Sequence, residues 1–163
     1  MPVGTPRPYS HQPPDYRCPY CTLIAGGDDP GDGSSPADVV LRGDGATVIM
    51  AVTWWPRNAG HVVVVPNAHF ENIFTLPLEA AAAIHAAAQR VAFAMKDAYA
   101  CGGISTRQHN EPAGQQHVWH YHLHVFPRYD GDALYASPGA PTTAAQRAPY
   151  AQRLRAALSV SRG

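Results

Sequence analysis

The segment HVWHYHLHVFPR, from His117 to Arg128, holds four of the chain's nine histidines within eight residues, and His120, His122 and His124 alternate strictly. An imidazole titrates near neutral pH and can serve as metal ligand, nucleophile or general base. In an extended strand alternate side chains share a face, so these three rings point one way while Tyr121, Leu123 and Val125 point the other. Same-face neighbours on a strand stand roughly 6.5–7 Å apart, close enough to serve one site. Three readings compete: a metal site, a catalytic row containing a nucleophile or base, and a wet strand face with no chemistry.

A second chemical group stands near the start of the chain as Cys18-Pro19-Tyr20-Cys21. The chain's third cysteine, Cys101, makes the count odd and lies beside a glycine pair. An odd count argues against a disulfide framework, and a CxxC spacing suits a metal half-site or a redox couple. Cys101 reads as a buried, inert thiol.

These groups need elements to position them. Residues 1–16 are proline-rich and are expected to be a disordered leader, with one domain over 17–163. Asp28 to Asp38 are turn formers and small polar residues, expected to be a flexible loop. Short β-branched runs follow at VVLR from Val39, ATVIMAV ending at Val52, and HVVVVP from His61 to Pro66, and these read as three strands. The turn formers Pro56, Asn58 and Gly60 lie between the last two and favour antiparallel pairing. Ile84, Ala88, Val91, Met95 and Tyr99 recur at steps of three or four, which predicts one long helix after Pro77. Thr75 is its candidate N-cap, and Gly102-Gly103 its stop. Two further strands are expected, Ile104 to His109 and Val118 to Phe126, joined by a turn. A short C-terminal helix carries Pro149 near its first turn. The fold class is α+β, an antiparallel sheet with a main helix packed on it.

Charge excludes some partners. Lys plus Arg and Asp plus Glu number twelve each, so no broad basic field favours duplex nucleic acid or an anionic membrane. The first sixteen residues lack the apolar run of a signal peptide, and no segment suits a bilayer span. A cytoplasmic protein without nucleic-acid or membrane partners is expected.

HYHLHVF fits the pattern of the histidine triad (HIT) family, and NEPAGQQHVW upstream resembles that family's phosphate loop. The trailing Pro127-Arg128, the segment NAGHVVVVPNAHFENIFTL, and CPYC, similar to the cysteine pair of its zinc-containing members, extend the resemblance over most of Cys18 to Tyr129. It implies a HIT-like fold, a homodimer, and hydrolysis or transfer at the α-phosphate of a nucleotide derivative. That derivative would be a purine nucleotide such as an AMP phosphoramidate or a dinucleoside polyphosphate. By position His122 would be the nucleophile and His124 a phosphate ligand, with Asn110 and Gln116 as phosphate donors. In zinc-containing members the metal is held by the cysteine pair, the histidine of Pro-x-x-His and the first triad histidine, here Cys18, Cys21, His69 and His120. The implied cofactor is a structural zinc, with iron left open.

The chain also departs from the family pattern. Asn110 lies one position closer to the triad than the matching asparagine of many relatives. His117 stands where relatives carry serine or threonine and could act as a general acid. Thr53 stands where relatives carry an aspartate or asparagine that holds the ribose. These departures motivate a second reading, a nucleotide-binding or interaction protein without turnover. A third treats the histidine row as the metal site of a metal-dependent hydrolase. His61 reads as a packing or hydrogen-bonding residue, His85 in the helix and His11 in the leader have no obvious partner, and Trp54 and Trp55 read as base-stacking walls, core or subunit contact.

Overall fold

A computed structural model describes residues 9–160 of the protein. Strands β1 (Val39–Arg42), β2 (Ala46–Met50), β4 (Val62–Pro66), β5 (Gly103–Gln108) and β6 (Leu123–Arg128) form one antiparallel sheet in the order β1-β2-β4-β6-β5. A two-stranded ribbon pairs β3 (Thr53–Trp54) with β7 (Ala140–Pro141). The helices are α1 (Pro19–Ile24), α2 (Leu78–Tyr99) and α3 (Ala144–Val160). The architecture is α+β, as expected, with α2 packed across β2, β4 and β6 and α3 packed on α2 and β1. Among the described residues no helix is long and apolar enough to cross a membrane.

The five periodic positions that predict α2 are all buried: Ile84, Ala88, Val91, Met95 and Tyr99. They meet the valine-rich β4 and its partner β2, every residue of which is buried. Gly60 shows how tight the approach is. Its φ is +90°, and a Cβ there would stand 2.6 Å from the Tyr99 ring. Only glycine fits this position, and it aims the chain into β4 at His61.

Four local expectations are corrected. The residue before α2 is Pro77, with no side-chain cap, and Thr75 instead donates its hydroxyl to the Asn72 carbonyl at 3.3 Å. β6 starts at Leu123 rather than Val118, because residues 118–120 bend. Helix α3 begins at Ala144, so Pro149 lies inside it instead of in its first turn. The polar stretch expected to be flexible is fixed by an ion pair. Arg147 of α3 is fully buried and grips Asp38 through Nε at 2.7 Å and Nη2 at 2.9 Å. It also donates to the carbonyls of Gly33 and Thr142 at 2.8 and 2.7 Å.

Of the proline-rich leader, residues 1–8 lie outside the described residues. Tyr9 stacks on Phe74 with ring centroids 4.4 Å apart, and the backbone N–H of His11 donates to Glu71 at 2.6 Å. Tyr16 accepts from the Trp119 N–H at 3.0 Å, which ties the leader to the histidine segment.

Candidate active site and metal centre

The histidine row is split between two sites by the bend before β6. His120 turns to the cysteine pair, while His122 and His124 line a cavity of about 420 Å³. The cavity floor is one transverse row of the sheet. Ile49 pairs with Val63, Val63 with His124, and His124 with Arg107, and all four line the space.

Backbone carbonyls fix the tautomer of each buried imidazole, because a carbonyl can only accept. His122 donates from Nδ1 to the His120 carbonyl at 2.7 Å, which leaves its Nε2 with a free lone pair. His61 donates from Nδ1 to the Thr53 carbonyl at 3.1 Å, so its Nε2 accepts from His124 Nδ1 at 2.8 Å. His124 in its neutral form then carries its lone pair on Nε2. Burial lowers the pKa of His122 to about 4 and that of His61 to about 3. For His124, burial and then the neighbouring His61 push the value well below the ordinary range. His61 is thus a hydrogen-bonding residue, as expected, and it sets the orientation of His124.

Other expected cavity residues divide. Thr53 and His117 line the cavity. Asn110 and Gln116 do not, and both amides are engaged elsewhere. Asn110 Oδ1 accepts from the Ile73 N–H at 2.8 Å, and its Nδ2 donates to Gln108 at 2.6 Å. Gln116 is buried; its Nε2 donates to the Glu71 carbonyl at 2.6 Å and its Oε1 accepts from the Glu111 N–H at 2.9 Å. His109 and Gln115 stand in the cavity in their place. Glu111 and Gln115 have φ of +62° and +66°, and these left-handed turns shift which side chains face inward. Arg107, Trp55 and the loop residues Asp32 and Ser34 also line the space and carry no sequence motif.

The second site joins Cys18, Cys21, His69 and His120, whose ligand atoms all lie within 4.8 Å of one another. Cys18 Sγ is 3.2 Å from His120 Nδ1, and Cys21 Sγ is 3.2 Å from His69 Nδ1. The outward nitrogens are occupied: His120 Nε2 donates to the Pro66 carbonyl at 2.9 Å and His69 Nε2 to Gln12 Oε1 at 2.7 Å. Both imidazoles therefore turn lone pairs inward toward the sulfurs, the arrangement that orients histidines on a metal. Burial, and then the neighbouring Cys21, push the Cys18 thiol up to about 12, and a cation would reverse that balance. Two sulfurs and two imidazoles suit a tetrahedral zinc. The row does not converge as one metal site, since His122 and His124 belong to no such group among the described residues.

The HIT domain model matches residues 32–131. The chain belongs to the HIT domain family. Protein hit of Bacillus subtilis is 29% identical over 112 residues, covering 69% of this chain and 71% of that protein. A zinc-bound histidine triad family protein from Mycobacterium smegmatis superposes with a TM-score of 0.72 at 28% identity, covering 88% of this chain and 94% of its own. An adenylylsulfatase of Arabidopsis thaliana is 25% identical over 120 residues, 74% of this chain and 56% of that protein. The relatives include one protein named an adenylylsulfatase and one zinc-bound protein that shares the fold.

Proposed function

We propose that this HIT protein hydrolyses or transfers a nucleotidyl group at the α-phosphate of a purine nucleotide derivative, with His122 as nucleophile. The observation that carries the reading is the bond from His122 Nδ1 to the His120 carbonyl, which leaves Nε2 as an unprotonated nitrogen in the cavity. Nε2 attacks phosphorus, a P–N bond forms, and the bond to the leaving group breaks. The leaving group departs with that electron pair and takes a proton, for which the exposed His117 imidazole is the donor. Water then attacks phosphorus and gives a proton to the now neutral His117, the P–N bond breaks, and His122 recovers its lone pair as the nucleoside monophosphate leaves.

Charge on the phosphate oxygens needs donors. His124 supplies one from Nε2 once it takes up a proton, with Nδ1 still held by His61. Gln115 takes the donor role expected of Gln116 and Asn110. His109 donates from Nδ1 to the Gly114 carbonyl at 2.6 Å, which braces the loop. Cys18, Cys21, His69 and His120 would hold a structural zinc. When bound, it ties the N-terminal segment to the residue two before the nucleophile and supplies rigidity. The zinc-bound relative and the adenylylsulfatase support both parts of the reading.

The test is turnover of an adenosine phosphoramidate and a dinucleoside polyphosphate by the zinc-loaded protein and by His122→Asn. Release of AMP by the wild type and its loss in the variant, with AMP affinity retained, is expected. Turnover by His122→Asn would refute the assignment. Tight AMP binding without any turnover in the wild type would favour a nucleotide-binding protein.

A further inference from the structure

Arg107 is a cation in the cavity for which the reaction at His122 has no use. Its guanidinium Cζ lies 4.9 Å from the centroid of the Trp55 ring, 5.2 Å from that of Phe126 and 4.8 Å from that of Tyr135. Aromatic faces hold a guanidinium in place without neutralising it. No carboxylate pairs with it among the described residues, where the ion pairs are Arg128–Asp132 and Arg147–Asp38 and Glu111 contacts His11. Its Nε is buried with no hydrogen-bond partner. The surroundings offer no acid: Asp132 is committed to Arg128 and Asn58, and Asp32 accepts from Ser34. Thr53 on the same cavity wall is uncharged. A half-buried, unpaired guanidinium opening into a cavity is suited to an anion, and its fork of N–H groups matches phosphate.

Its position separates this anion from the one at His122. Ring centroids run 5.0 Å from His122 to His124 and 5.8 Å from His124 to Phe126, and the guanidinium stands over Phe126. The charge is therefore beyond His124 from the nucleophile. We infer that Arg107 receives a second phosphate of the substrate, separate from the phosphate that His122 attacks. This rests on the reading of the cavity as a nucleotide site and narrows its substrate class to nucleotides with two separated anionic groups. The second phosphate could be carried on the sugar, as in a nucleoside 3′,5′- or 2′,5′-bisphosphate, or further along a phosphate chain.

The experiment is calorimetry of the zinc-loaded protein with AMP, adenosine 3′,5′-bisphosphate, adenosine 2′,5′-bisphosphate and ADP, repeated on Arg107→Met and Arg107→Lys. One second-phosphate ligand should bind about tenfold to a hundredfold tighter than AMP, the range of a charge-assisted contact. The ratio should collapse toward one in Arg107→Met and be partly kept in Arg107→Lys. A gain from a bisphosphate assigns the group to the sugar, and a gain from ADP assigns it to the chain. Equal affinity of all four ligands in the wild type overturns the inference whether or not the variants fold, as does an advantage that survives in Arg107→Met. Failure of AMP itself to bind would instead sink the nucleotide reading and this inference with it.

Discussion

His61 Nε2 and His124 Nδ1 stand 2.8 Å apart, and the Thr53 carbonyl on the far side of His61 dictates that the proton between them belongs to His124. A neutral His124 therefore offers phosphate a lone pair, and only its protonated form can donate to a phosphate oxygen.

Binding of a phosphate dianion should thus be coupled to proton uptake. Calorimetry of AMP at pH 8 in buffers of different ionisation enthalpy should show roughly one proton taken up per ligand, the change from neutral to cationic imidazole. His124→Asn should abolish the uptake and weaken binding. No proton uptake by the wild type would mean that phosphate is held by other donors.

His61 also imposes a pH dependence on the fold. Burial lowers its folded pKa to about 3, whereas an unfolded histidine titrates near 6.5. Between these values the unfolded state binds the extra proton. The contribution is therefore complete above about pH 6.5 and is lost as pH falls toward 3, by at most about 1.4 kcal/mol per pH unit for this group. Urea denaturation from pH 7 to pH 5 should show a shallower loss in His61→Gln than in the wild type. Identical slopes would contradict a neutral buried His61.

The metal centre should depend on a residue outside its four ligands. Gln12 holds His69 Nε2 at 2.7 Å, so Gln12→Ala should lower zinc affinity by on the order of tenfold to a hundredfold, as loss of such a partner does elsewhere. Cys21→Ser and chelator treatment should lower the melting temperature further. Competition with a chromophoric chelator measures the affinity, and an unchanged value in Gln12→Ala would remove the leader from the site.

The buried pair of Asp38 and Arg147 gives a stability prediction independent of the site. Asp38→Ala leaves a fully buried guanidinium without its carboxylate and should cost about 3–5 kcal/mol in denaturant unfolding. The double variant Asp38→Leu with Arg147→Met should recover much of that loss. A loss below about 1 kcal/mol in Asp38→Ala would show the pair to be hydrated.

Much of this was legible in residue types and spacing, and the rest depended on backbone turns. The periodicity of Ile84 to Tyr99 marked α2, and the β-branched runs marked β1, β2 and β4 because burial selects those residues. The alternating histidines marked a site, yet strand alternation did not reveal that the bend at 118–120 sends His120 to the cysteines and leaves His122 and His124 in the cavity. Asn110 and Gln116 were the expected phosphate donors, and the left-handed residues Glu111 and Gln115 present His109 and Gln115 instead. The position of Asn110, one step too close to the triad, was the signal for that shift. Arg107 sits in a strand without a motif, and only its register against His124 brings it to the site. Asp32 and Ser34 read as part of a flexible loop because Arg147, which pins that loop, lies more than a hundred residues away in sequence.

The central claim is that His122 becomes covalently attached to the nucleotide. Rapid-quench mass spectrometry of the wild-type protein mixed with an adenosine phosphoramidate tests it most directly. An adenylyl group on the peptide containing His122, localised by fragmentation to that residue and absent in His122→Asn, is the expected result. An adduct on His117 or His124, or turnover at full rate with no adduct at any time point, would contradict it.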